Sequence, residues 1–241
     1  MRETADVETS SEDYASRFSG PVGAWMLETQ LRAVRELLGA PGGATVLDVG
    51  GGHGQLALPL AADGWRVTVL GSEPVCARGI APAVAAGRVQ FVTGNVLALP
   101  FPDRAFDFAV SVRLLPHCGR WPALVGELCR VARRAVVVDY PTLESLNRVA
   151  PALFGAKKRL EGNTRTFTLF THQEVEAAFK AGGFAPAGRI GEFFLPMVLH
   201  RTLRCRPCSA ALEALCAGLG LTRRWGSPVV ARYSRKQQPT E

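Results

Sequence analysis

Long apolar runs are missing from this chain of 241 residues. No stretch of 18 consecutive apolar residues occurs, so the sequence offers no membrane span. The opening residues, MRETADVETSSEDY, have neither the basic start nor the apolar centre of a signal peptide, and a cytoplasmic protein is expected. Histidine is scarce, with four in all. The six cysteines (76, 118, 129, 205, 208 and 216) are spread too widely for a small disulfide scaffold, and reduced thiols are expected. Cys205 and Cys208 form a lone CxxC. A structural zinc takes four ligands and no second pair stands at suitable spacing, so no metal is expected. Internal repeats and low-complexity tracts are absent.

What is present points to one large α/β domain. Hydrophobic residues make up 47% of the chain, which excludes wholesale disorder. The net charge is +7. The excess lies in Lys157, Lys158, Arg159 and Arg165, and in a tail with Arg201, Arg204, Arg206, Arg223, Arg224, Arg232, Arg235 and Lys236. A solvated basic face accounts for both patches without invoking nucleic acid.

Residues 1–13 are acidic with little to bury, and a flexible N-terminal arm is expected. Residues 14–241 then read as a single domain. Leu27, Leu31, Val34, Leu37 and Leu38 recur at helical spacing and predict an amphipathic helix over 23–38, ended by glycine and proline. Val46, Leu47 and Val49 are a short apolar run of the kind that fills a buried parallel strand. Further strands are expected at 66–70, 89–93, 106–112, 135–139, 184–194 and 229–233. Helices are expected at 55–62, 74–86, 121–133, 172–181 and 209–219. Alternation of this kind makes a parallel sheet with crossovers on both faces. The segments 142–170 and 195–226 are inserted pieces, candidates for a small cap over an acceptor.

The first strand runs straight into glycines. Residues 45–54 read TVLDVGGGHG, so Asp48 precedes Gly50, Gly52 and Gly54. Strand, glycine turn and helix start together bring bare backbone close to a ligand. Asp48 with these glycines resembles the D-x-G-x-G-x-G turn of class I S-adenosylmethionine-dependent methyltransferases. GNVLALPFPDRAFDFAVS (94–111) is similar to a second stretch of that family, especially its small-molecule branch with the ubiquinone and menaquinone methyltransferases. HQEVEAAFKAGGF (172–184) resembles the helix before that fold's sixth strand. The resemblance implies a Rossmann-like, doubly wound, mostly parallel seven-stranded sheet of order 3-2-1-4-5-7-6, with the last strand antiparallel. It implies S-adenosyl-L-methionine as cofactor and a small-molecule acceptor.

Carried over by position, Asp48, Gly50, Gly52 and Gly54 would face the methionine end of the cofactor. An acid is expected at the end of strand two for the ribose hydroxyls, and here Gly71-Ser72-Glu73 stands instead. Ser72 or Glu73 would have to replace it. Asn95 and Val96 take the adenine position, and Ser111 ends strand four beside the methionine moiety. Tyr14, Arg17 and Phe18 are candidates for a flap. Methyl transfer needs a base only if the acceptor carries a proton of high pKa. His117, after strand four, and Tyr140, ending strand five, are the candidates, while His172 reads as a helix start. Arg165, Phe194 and His200 are candidates for binding an apolar or aromatic acceptor with an anionic group. After strand four the chain reads SVRLLP, without the N/D-P-P-Y/F of amino-directed nucleic-acid enzymes. Two alternatives remain open: an NADP-dependent oxidoreductase, with its glycine fingerprint starting at Gly52, and a non-catalytic cofactor-binding protein with a decayed site.

Overall fold

The computed structural model describes residues 4–9, 11, 15–51, 53–146 and 167–236. The first element is a short helix, α1 (Ala5–Thr9), with Asp6 fully buried. This differs from the expected flexible arm. A polar, acidic segment reads as solvated unless something buried receives one of its charges, and here something does.

Helix α2 (Gly20–Leu38) carries Pro21 in its first turn and stops at Gly39, whose φ of 81° favours glycine. Its buried face runs through Val22, Met26, Gln30, Ala33, Val34 and Leu37. Then come β1 (Thr45–Val49), α3 (Ala57–Ala62), β2 (Arg66–Gly71), a 3-10 turn (Pro74–Ile80), α4 (Ala81–Ala85) and β3 (Gln90–Thr93). Next are β4 (Phe106–Ser111), a 3-10 turn (Leu115–His117), α5 (Trp121–Val131), β5 (Ala132–Tyr140), α6 (His172–Ala181) and β6 (Phe184–Gly191). Helices α7 (Met197–Leu203), α8 (Arg206–Gly218) and α9 (Leu221–Trp225) precede β7 (Val229–Arg235).

The strands form one seven-stranded sheet of order β3-β2-β1-β4-β5-β7-β6. β1 pairs in parallel with β2 and β4, while β7 runs antiparallel between β5 and β6. Alternation along the strands sends successive side chains to opposite faces. Leu47, Val49, Val136 and Val138 meet α5 and α6 through Leu124, Leu128, Val175 and Phe179. Val46, Val67, Val69 and Val137 meet α2 and α3 through Val34, Leu37 and Leu60. The order puts the switch point at the carboxyl ends of β1 and β4, where the first connections leave for opposite faces.

His172 does start a helix, as expected: Thr171 and Glu174 close a reciprocal capping box there. Cys205 and Cys208 are joined as a disulfide, which departs from the expected reduced thiols at that pair alone, while Cys76, Cys118, Cys129 and Cys216 are free. The CxxC spacing brings both sulfurs to the first turn of α8, where Cys205 is the cap residue. Among the described residues, no helix is long and apolar enough to cross a membrane, and no group of three or more His, Cys, Asp or Glu is placed to hold a metal ion.

Candidate active site

β1 delivers Asp48 to the carboxyl edge of the sheet, and the chain then turns sharply. Gly50 has φ of 84° and Gly54 of 70°, conformations that favour glycine. Gly51 is required for a different reason: a Cβ there would collide with the Asp48 carboxylate. Gly52, expected at the same turn, lies outside the described residues. The turn leaves a cavity of about 20 Å³, lined among others by Asp48, Gly50, Gly51, His53, Gln55 and Arg113. That volume holds about one water.

Asp48 is buried, and its Oδ2 has no hydrogen-bond partner among the described residues. Burial pushes its pKa up to about 7, with the Arg113 charge pulling the other way. A carboxyl group kept in this state is suited to gaining a cationic donor. Arg113 lines the same cavity and donates to Gln55 Oε1. Its guanidinium also stands 5.0 Å from the centre of the Phe18 ring, within cation–π range.

Sequence reasoning missed Arg113. It adopts φ of 61°, and Asp139 Oδ1 accepts from its backbone N–H at 2.6 Å. Asp139 ends β5 on the α2 side of the sheet. Its Oδ2 accepts from Gln30 Nε2 at 3.0 Å, and the same amide donates to Glu192 Oε1 at 3.2 Å. Burial raises Asp139 to about 6. Burial and the Asp139 charge raise Glu192 to about 8. Asp48, Arg113, Asp139 and Glu192 thus gather at the carboxyl ends of β1, β4, β5 and β6. One signal pointed to Asp139: like Asp48, it is a lone acid closing a buried apolar run, here AVVVD.

The structure separates the other expected residues into groups. Ser111 Oγ donates to Val49 O at 3.1 Å and ties β4 to the turn. Ser72 is buried at the tip of β2, where its backbone N–H is taken by Asp6. Glu73 stands partly buried before the 3-10 turn. Asn95 Oδ1 accepts from Leu97 N at 3.0 Å, closing its own turn, and Val96 is fully buried beside it. His117 ends the 3-10 turn after β4, with its ring 5.7 Å from that of Phe167.

Two further candidates are held in contacts within the core. Tyr140 points away from the Asp139 side, into the core against Phe170, and its hydroxyl bonds His172 Nδ1 at 3.0 Å. Adjacent strand residues face opposite sides, so Tyr140 and Asp139 cannot share a face. His200 is fully buried, with Nε2 2.9 Å from Glu213 Oε1 and its ring edge-on to Trp25. It braces α7 against α8. Phe194 joins the same brace, its N–H donating to Glu213 Oε2 at 2.9 Å. Glu213 was missed, although a charge inside SAALEAL is a visible anomaly. Arg165 lies outside the described residues, as does most of the 142–170 segment.

Comparison with known proteins matches this architecture. A methyltransferase domain family matches residues 46–135. An uncharacterised methyltransferase of Mycobacterium avium is 37% identical over 91 residues, 38% of this chain and 36% of that protein. The match therefore spans about a third of the length of that relative. The demethylmenaquinone methyltransferase of Thermus thermophilus is 30% identical over 164 residues, covering 58% of this chain and 74% of that protein. The chain belongs to the class I S-adenosylmethionine-dependent methyltransferases. The fold agrees with membership of that family. The magnesium protoporphyrin IX methyltransferase of Synechocystis, solved with S-adenosylhomocysteine, superposes with a TM-score of 0.65 at 14% identity, covering 96% of this chain and 98% of that one. Neither the family matched nor the strand order supports the oxidoreductase alternative.

Proposed function

We propose that this methyltransferase-family chain transfers a methyl group from S-adenosylmethionine to a small-molecule acceptor. One observation carries the reading: a buried carboxylate oxygen without a hydrogen-bond partner among the described residues, Asp48 Oδ2, belongs to a residue that lines the glycine-turn cavity together with Arg113. The methionine end of the cofactor is a zwitterion, and this is the donor set that matches it. Asp48 would accept from the ammonium and Arg113 would donate to the carboxylate. A cation beside Asp48 lowers its pKa and keeps it ionised. Bare backbone at Gly50 and Gly51 allows close approach, and Ser111 holds β4 against that turn.

Bound there, the cofactor supplies both the electrophilic methyl and its leaving group. The chain's task is to align the acceptor in line and to exclude water. We assign His117, which ends the 3-10 turn after β4, as the base for an acceptor whose proton must leave. The acceptor we favour is apolar or aromatic with an anionic group. Two things support its apolar or aromatic part: the demethylmenaquinone named for one relative, and the apolar run of Phe193, Phe194, Leu195 and Met197 leading into α7. Arg165 is the residue we assign to the anionic group.

The test begins with melting temperature. S-adenosylhomocysteine should raise it in a concentration-dependent way, while NADP leaves it unchanged. Stabilisation by NADP alone would favour the oxidoreductase, and no response to either would favour a decayed site. Transfer of labelled methyl to a panel of hydroquinones and aromatic acids, with neutral isosteres beside them, then tests the acceptor. Equal rates on charged and neutral members would remove the anionic group from the proposal.

A further inference from the structure

The carboxyl edge already holds a ligand of a kind, and it comes from the chain itself. Asp6 of α1 is fully buried. Its Oδ2 accepts from Ser72 N at 2.5 Å, at the tip of β2, and lies 3.5 Å from Cys76 Sγ. Its Cβ lies 3.6 Å from where a side chain on Gly50 would begin. Asp6 therefore covers the glycine that gives a ligand its close approach. Ala5, beside it, packs on the cluster of Val49, Leu70, Val96, Leu99 and Leu114. Gly50, which Asp6 covers, also lines the turn cavity of about 20 Å³ beside Asp48 and Arg113.

We propose that α1 is a built-in occupant of the cofactor cleft, anchored by Asp6, and that the cofactor enters only as α1 leaves. This rests on the cofactor reading above and names the regulation of that site. The chemistry is a competition for one donor. Ser72 N–H at the end of β2 is a fixed donor aimed at the place where a nucleoside lies in open α/β sheets. A buried N–H must keep an acceptor. In this conformation Asp6 supplies it, and in the bound form a ligand acceptor takes over. Affinity is then reduced by the fraction of molecules in which α1 is seated.

Asp6→Ala removes the anchor without touching the turn. Titration calorimetry should find S-adenosylhomocysteine bound about tenfold more tightly by Asp6→Ala than by the unaltered protein, as expected for loss of one charge-assisted hydrogen bond in the competing state. Hydrogen exchange on the unaltered protein gives an independent readout. Amides 4–9 should exchange faster with saturating S-adenosylhomocysteine, the reverse of the usual protection on binding. Weaker or unchanged binding by Asp6→Ala overturns the proposal. So does increased protection of 4–9, which would make Asp6 a group that closes over the cofactor. If neither protein binds S-adenosylhomocysteine, the cofactor reading falls and takes this proposal with it.

Discussion

The two edges of the sheet use the same residue types in opposite ways. At the amino edge, Asp107 stands at the start of β4 beside Thr45. It accepts from Thr45 N and Oγ1, both at 3.0 Å, and these bonds hold its pKa below the usual carboxylate range. Nearby, Glu127 is held low by Arg130, which also caps the carbonyls of Leu99 and Phe101. At the carboxyl edge, Asp48, Asp139 and Glu192 are all raised, and burial is the first cause each time. Acids at the amino edge are satisfied and stabilise the fold. At the carboxyl edge Asp139 and Glu192 are bonded to Gln30 and Arg113, but Asp48 Oδ2 has no hydrogen-bond partner among the described residues, a cost to stability that a ligand can recover.

Four changes would break or sharpen that contrast. Asp48→Asn should have the largest effect, a loss on the order of 100-fold in S-adenosylhomocysteine affinity by calorimetry. At pH 8 the same variant without ligand should melt about 2–4 °C higher, because a buried charge has been removed. Asp107→Ala should do the reverse. It should lower the melting temperature by about 4–8 °C, for a loss of about 2 kcal/mol, with affinity unchanged within twofold.

Next comes pH. A buried acid whose pKa is raised binds more protons in the folded state than in the unfolded one, so stability falls as pH rises between the two values. The ordinary values are 3.8 and 4.5, and the raised ones reach about 8. The melting temperature without ligand should therefore decline from pH 5 to pH 9. Glu192→Gln should flatten the upper part of that decline, and an unchanged slope would detach Glu192 from the effect. The smallest change is Arg133→Ala. Its ion pair with Asp107 is more than half exposed on the arginine side, and its loss should cost below about 0.5 kcal/mol.

The sheet was legible because its signals are local. Val46, Leu47 and Val49 declare a buried strand, and the glycines after Asp48 declare the turn. The strand order came from the resemblance, since no local pattern says that β7 enters between β5 and β6. The site was only half legible. Asp48 is marked by its neighbours in sequence, whereas Arg113 is marked only in space, by a left-handed backbone held on Asp139. Asp6 was hidden by composition, because an acidic segment gives no sign that one carboxylate will find a buried N–H. Tyr140 shows the limit of reading strand ends. The end of β5 was identified, but a shift of one residue decides which side chain reaches the site and which joins the core.

The insertion of β7 has a consequence for how the molecule is made. Among the described residues β6 pairs only with β7, and β5 meets β7 along Ala135–Tyr140. During synthesis, at roughly 5–20 residues per second, β5 emerges long before its outer neighbour. For several seconds the nascent chain presents AVVVDY as an unpaired apolar edge, the kind of surface that templates association with other chains. The seventh strand of the sheet is thus the one that closes this edge, and a chain stopped before Val229 would carry the edge into the cell.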